Sequence, residues 1–117
     1  MNHLDYNGFF TGRTVLVTGG AGFIGSHLTQ HLASLNCHVR VLDDLSSGNI
    51  SNLDGIDVTF IEGSILDEDA LDQAIERCSI VFHEAAMVSI PLSVKDPEFC
   101  DLVNVGGTKN VVAAASR

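Results

Sequence analysis

The residues best suited to chemistry are Thr18-Gly19-Gly20-Ala21-Gly22-Phe23-Ile24-Gly25, and that chemistry is anion binding. The stretch lies between an apolar, β-branched run, Thr14 to Thr18, and a helical pattern beginning at Phe23. In that setting Gly19 permits a tight turn off a strand, Gly22 lets a ligand approach the backbone, and Gly25 lets a helix pack closely on a sheet. The N–H groups of Phe23 and Ile24 open the helix, lack partners within it and point at the anion, with the helix dipole behind them. No Lys or Arg takes part, and no G-K-[ST] follows, so this is not a P-loop. Asp43 stands eighteen residues beyond Gly25, at the end of the next β run. An acid there accepts hydrogen bonds from the ribose hydroxyls of a dinucleotide and repels a 2′-phosphate. No Arg or Lys occurs between Arg40 and Arg77. The expected ligand is NAD rather than NADP.

Two other constellations carry no chemistry. His27 and His31 share a helix face, but Leu28 stands where an H-E-x-x-H zinc motif needs glutamate, and no third ligand is evident. No metal site is expected. Asp67, Glu68, Asp69 and Asp72 complement the dipole at a helix start and read as a solvated face.

The elements that must position the site follow from pattern. Thr14 to Thr18 reads as a strand buried on both faces, as in parallel sheets. Phe23 to Leu35 is a helix with Ile24, Leu28, Leu32 and Leu35 at helical spacing and Ser26, Thr29 and Gln30 elsewhere. Val39 to Leu42, Val58 to Ile61 and Ile80 to Phe82 are further strands. Ser46 to Gly55 is a loop with room for one helical turn. Asp67 caps a helix from Glu68 to Arg77, Glu84 to Leu92 is irregular, and Asp96-Pro97 opens a last helix. Residues 1–12 form a leader, and 13–117 one partial domain. Alternating β and α elements with right-handed crossovers define an α/β, doubly wound parallel sheet.

Composition bounds the rest. Among 117 residues, 45% are hydrophobic, which excludes a disordered chain. Six basic against fifteen acidic residues give a net charge of −9, which argues against nucleic acid as a partner. Cys37, Cys78 and Cys100 are odd in number and widely spaced, and read as thiols of a reducing, cytoplasmic setting. Residues 1–12 contain no secretory h-region, and the apolar runs fall short of the ~20 residues of a membrane span. No membrane partner is expected.

Five stretches in order carry a family resemblance: T-G-G-A-G-F-I-G (18–25), L-D-D-L-S-S-G (42–48), E-G-S-I-L-D (62–67), V-F-H-E-A-A (81–86) and N-V-G-G-T-K-N (104–110). From about Arg13 to Ala115 the chain resembles the amino-terminal part of the extended short-chain dehydrogenase/reductases, the NAD-dependent sugar-nucleotide epimerases and dehydratases. The resemblance implies a Rossmann-like sheet cut after about four strands. It also implies further cofactor contacts. Residues matching Asp43, Asp44, Leu45, Ser46, Ser47 and Gly48 wrap the adenosine ribose, and those matching Ser64 and Ile65 flank the adenine. Those matching Ala85, Ala86 and Met87 pass beneath the pyrophosphate and nicotinamide ribose, while Asn104 fixes nearby backbone. Ser64 departs from the family, which usually has Asp there. His83 is expected to pack beside the cofactor loop rather than act as a base.

Within the family, residues 85–97 look most like UDP-hexose 4-epimerases; Ser89 and Ser93 read equally as substrate contacts or as loop polarity. Family members do chemistry with a Tyr-x-x-x-Lys pair. Here Phe10 follows Tyr6 by four residues, and Pro91 and Val105 precede Lys95 and Lys109 by four. No catalytic residue is therefore assigned, and the chain alone is expected to be inactive. It reads as the NAD-binding portion of a nucleotide-sugar 4-epimerase. A non-catalytic dinucleotide-binding module and a portion of a related dehydratase or reductase remain open. An apolar stripe on the last helix (Phe99, Leu102, Val103, Val111, Val112, Ala115) and an unpaired fourth strand predict a homo-oligomer. Gly106-Gly107 in that helix is either a hinge or a close-packing device.

Overall fold

The computed structural model describes residues 6–86 and 94–116. Four parallel strands form its sheet: β1 (Thr14–Thr18), β2 (His38–Asp43), β3 (Val58–Glu62) and β4 (Ile80–His83), in the order β3-β2-β1-β4. In register, Thr18 lies beside Leu42 on one side and His83 on the other. The run Val15-Leu16-Val17 is fully buried because β1 is covered on both faces. Successive side chains alternate, so Val15 and Val17 join one core with Leu32, Val39, Val41 and Leu53, while Leu16 joins Leu42, Ile65, Leu71 and Val111 in the other. This is the doubly wound α/β architecture read from the sequence.

Helix α2 (Phe23–Ala33) covers the first core, and α3 (Glu68–Ile75) the second. Asp67 caps α3, accepting from the N–H of Asp69 and Ala70 at 3.1 and 3.3 Å. The helix stops two residues short of the expected Arg77, which instead takes a left-handed turn at φ 62°. The loop after β2 holds a 3₁₀ turn, Ile50–Leu53, started by the Asn49 side chain accepting from Ser51 N–H.

Leu28, Leu32 and Leu35 face the core as expected, but the first turn of α2 does not. Ile24 is 69% exposed, whereas Ser26 and Thr29 are buried at 7% and 0%. Gly25 decides this orientation. A Cβ there would lie 2.1 Å from the Gly19 carbonyl oxygen, so the helix seats its small residues against the glycine turn and Ile24 is carried outward.

Two further features lie outside local pattern. A short helix, α1 (Tyr6–Phe10), falls within the leader, and Phe10 packs on the first core with its ring 6.3 Å from that of Phe82. The last helix is one run in three parts: α4 (Pro97–Asp101), a π-helical turn (Leu102–Gly107) and α5 (Thr108–Ala115). Asp96 caps α4 through Phe99 N–H at 3.1 Å. Gly107 serves close packing, since a Cβ there would meet Ile65 Cδ1 at 2.3 Å. The expected apolar stripe divides: Val111 is buried, while Leu102 and Val112 stay more than half exposed, as does Val105, which the stripe did not include. Ala115 is also exposed. Among the described residues no helix is long and apolar enough to cross a membrane.

Candidate functional site

The chain runs outward from β1 to β2 and β3, then returns to place β4 on the other side of β1. Ligands of open α/β sheets bind at such a switch point, beyond the carboxyl ends of the strands. A cavity of about 400 Å³ lies there.

Its first wall is the glycine turn, through Gly19, Gly22, Phe23, Ile24 and Gly25. Gly19 is at φ +70°, and a Cβ on it would strike the Ala85 backbone nitrogen at 2.7 Å. Gly22 differs. A Cβ there would meet only the Gly19 carbonyl oxygen, at 3.4 Å, an ordinary contact. The fold therefore does not itself require glycine at 22, although the residue faces the cavity. Gly22 is also the N-cap of α2 and provides no side-chain cap, so the first N–H groups of α2 are left for a ligand. The caps at Asp67 and Asp96 make the contrast plain.

The second wall comes from the end of β2. Asp43 is 8% exposed, and its carboxylate joins two segments. Oδ2 accepts from Ala21 N–H at 2.9 Å, and Oδ1 accepts from Leu45 N–H at 2.8 Å. A carboxylate offers about four acceptor positions, so it retains capacity toward the cavity it lines. Asp44, Ser46 and Ser47 line the cavity with it. Leu45 and Gly48 do not. Leu45, at φ 62°, packs on the first core, and a Cβ on Gly48 would press on the Ala21 backbone at 2.8 Å. Both brace the loop from behind.

Ser64 and Ile65 form the third wall. The Ser64 hydroxyl accepts from Leu66 N–H at 3.0 Å, closing the turn before α3. Ile65 is buried on Gly107, and its carbonyl accepts from Asn110 Nδ2 at 3.1 Å. Ala85 and Ala86 complete the lining expected from sequence. Met87, Ser89 and Ser93 lie outside the described residues. Asn104 is not brought to the cavity: it is exposed on the π-helical turn, and its carbonyl accepts from the Thr108 hydroxyl at 2.6 Å.

The structure adds Leu42, Gly63, Glu84, Phe99 and Val103 to the lining. Gly63 and Glu84 sit inside motifs already singled out and were legible as their neighbours. Phe99 and Val103 arrive from the last helix, where their spacing marked them as part of an apolar stripe and not as cavity lining. Among the described residues the lining includes Asp43, Asp44 and Glu84 but no Lys, Arg or His, so an anion held by them depends on backbone N–H groups and the α2 dipole. His83 lies just behind, with Nδ1 2.7 Å from Thr18 Oγ1 and Nε2 2.9 Å from Thr108 Oγ1. Burial pushes its pKa below the ordinary value of 6.5, against the opposing pull of the Glu84 carboxylate.

An uncapped helix behind a glycine turn, at a switch point, with an acid on the next strand, is the dinucleotide-binding arrangement of α/β proteins. A profile of the NAD dependent epimerase/dehydratase family matches residues 15–117, and the chain belongs to that family. It is 42% identical over 105 residues to the UDP-glucose 4-epimerase of Mycolicibacterium smegmatis, covering 86% of this chain and 34% of that protein. The solved structure of epimerase Mth375 from Methanothermobacter thermautotrophicus superposes with a TM-score of 0.90 at 40% identity, over 96% of this chain and 34% of that one. The UDP-glucose 4-epimerase of Thermus thermophilus, solved in complex with NAD, gives 0.80 at 39% identity, over 86% and 33%. The chain thus spans about a third of the length of the relatives it matches.

Proposed function

We propose that the cavity binds NAD, with the pyrophosphate on the uncapped N-terminus of α2 and the adenosine ribose at Asp43. The observation that carries this is Gly22: it caps no N–H, meets no crowding that demands glycine, and faces the cavity at the helix start. The three acids of the lining, with no cation beside them among the described residues, favour NAD over its 2′-phosphorylated form. The protein to which these residues belong is proposed to be a UDP-hexose 4-epimerase. NAD, when bound, supplies an acceptor that takes a hydride from the sugar and returns it to the opposite face. The described walls orient the dinucleotide, and Asp43 holds the glycine turn and the 44–48 loop around it. No Tyr-x-x-x-Lys pair occurs in the 117 residues, so they are proposed to be inactive alone. The exposed face of Leu102, Val105 and Val112 is proposed as a contact between copies, and the three free thiols suit a cytoplasmic setting.

Calorimetry tests the cofactor. NAD is expected to bind at least about tenfold more tightly than NADP, a difference of ~1.4 kcal/mol. Equal affinities overturn the role given to Asp43. Absence of NAD binding overturns the reading of the cavity.

A further inference from the structure

One direction satisfies all the hydrogen bonds behind the cavity. A threonine hydroxyl has one proton and two lone pairs. Thr18 Oγ1 receives the N–H of Glu84 and of Ala85, each at 3.1 Å, with the Glu84 N–H also reaching the Thr18 carbonyl at 3.0 Å. The Ala85 N–H takes one lone pair, and the Glu84 N–H is shared between the other and the carbonyl. Carrying the hydroxyl proton along the 2.7 Å contact toward His83 Nδ1 leaves both N–H groups their acceptor. Nδ1 is then bare and the ring proton is on Nε2, which donates to Thr108 Oγ1 at 2.9 Å. The Thr108 hydroxyl passes its own proton to the Asn104 carbonyl at 2.6 Å. Every proton then has an acceptor, in one consistent sense.

We propose that His83 is a positioning residue: neutral and protonated on Nε2, it orients the Thr18 hydroxyl so that Thr18 holds Glu84 and Ala85 at the cavity wall. The consequence for cofactor affinity rests on the proposed NAD site. A second proton on the ring would set an N–H against the Thr18 hydroxyl at 2.7 Å and take away the acceptor of its proton, so the hydroxyl must turn and its hold on the Glu84 and Ala85 N–H groups changes. Ala85 has no slack to absorb this, because Gly19 of the glycine turn is packed on its backbone. Among the described residues the charge acting on the ring is Glu84. β1 and α5 present it with the uncharged hydroxyls of Thr18 and Thr108, and Lys109, next along α5, is exposed.

The test is nitrogen NMR of the purified protein from about pH 8 to about pH 5, the range in which histidines titrate, with NAD calorimetry on the same samples. At the upper end His83 is expected to show a bare Nδ1 and a protonated Nε2. The amides of Glu84 and Ala85 should then shift with the ring's titration, and NAD should weaken by about tenfold, the loss that an unpaired buried hydroxyl brings. His83→Asn retains an acceptor near Nδ1 without a titrating ring. It should keep both the amide positions and the affinity seen at high pH, and show neither pH response. His83→Phe, which offers no acceptor, should displace both amides at every pH. A proton found on Nδ1, amides that ignore the ring, or an NAD affinity flat across its titration overturns the proposal. Amides that follow the ring in a protein that binds no NAD support the role of His83 and overturn the cofactor reading instead.

Discussion

The two ends of the sheet use the same four strands to opposite effect. At the amino end, protein atoms satisfy protein atoms. The half-buried Arg40 guanidinium donates to the carbonyls of Ala74 and Glu76 and reaches Cys78 Sγ, tying the tail of α3 to β2. Backbone pairs such as Ser79 N–H to Thr14 O and His38 N–H to Arg13 O, both 2.8 Å, close the strand entries. A hollow of about 620 Å³, larger than the site cavity, is present there. It is lined by the last residues of α3 and α5, by Asp72 and Glu76 and by Arg77, so helix carbonyl ends, not N–H ends, face it. At the carboxyl end the smaller cavity receives a helix N-terminus with no cap. Volume does not distinguish the two; the direction of the helices does.

The largest effect expected from breaking this contrast is at Gly25. Gly25→Ala forces a Cβ toward the Gly19 carbonyl oxygen and should cost about 3 kcal/mol or more, the upper range of overpacking. Urea denaturation measures it, and a loss below about 1 kcal/mol would show that the turn yields easily. Arg40→Met at the other end strands two carbonyls and should lower stability by about 1–3 kcal/mol. NAD affinity should be unchanged in that variant; a matching drop in affinity would mean that the two ends are coupled.

Gly22→Ala sharpens the comparison from the ligand side. Its melting temperature should stay close to that of the unaltered protein, because the added methyl meets only an ordinary contact. NAD should weaken by about tenfold, or ~1.4 kcal/mol, as the methyl occupies the approach to the helix start. Unfolding without a binding defect would sink that account.

The smallest expected effect is on stability against pH. Burial lowers the folded-state pKa of His83 below its ordinary value of 6.5, so the unfolded chain takes up the proton first as pH falls. The contribution is whole above about pH 6.5 and is lost as pH drops from there through the lowered value. Thermal melts should show a decline across that window that His83→Asn flattens. Equal slopes in both proteins would mean that other groups govern acid sensitivity.

Local chemistry made much of this legible. The run Thr14–Thr18 announced a doubly covered strand because a central parallel strand must be apolar on both faces. Asp67 and Asp96 announced helix starts because their carboxylates satisfy N–H groups two or three residues away. Gly19 and Asp43 were readable because a turn and a strand end impose residue types directly. The first turn of α2 was not readable: helical spacing put Leu28 with Leu32 on the core, as found, but gave Ile24 the same face. Only the approach of Gly25 to the Gly19 carbonyl turned Ile24 to solvent.

The sequence alone determined the strands, the caps, the glycine turn and the acid beyond β2, because each is set by backbone geometry within a few residues. Tertiary structure alone decided that Asp43 would brace two loops as well as face the cavity, and that Phe99 and Val103 would close it. It also brought Thr18, His83 and Thr108 into one directed chain. Those groups lie 65 and 25 residues apart along the backbone. Their meeting depends on β4 returning to the free side of β1 and on the last helix packing over it, an arrangement of whole elements that no local pattern encodes.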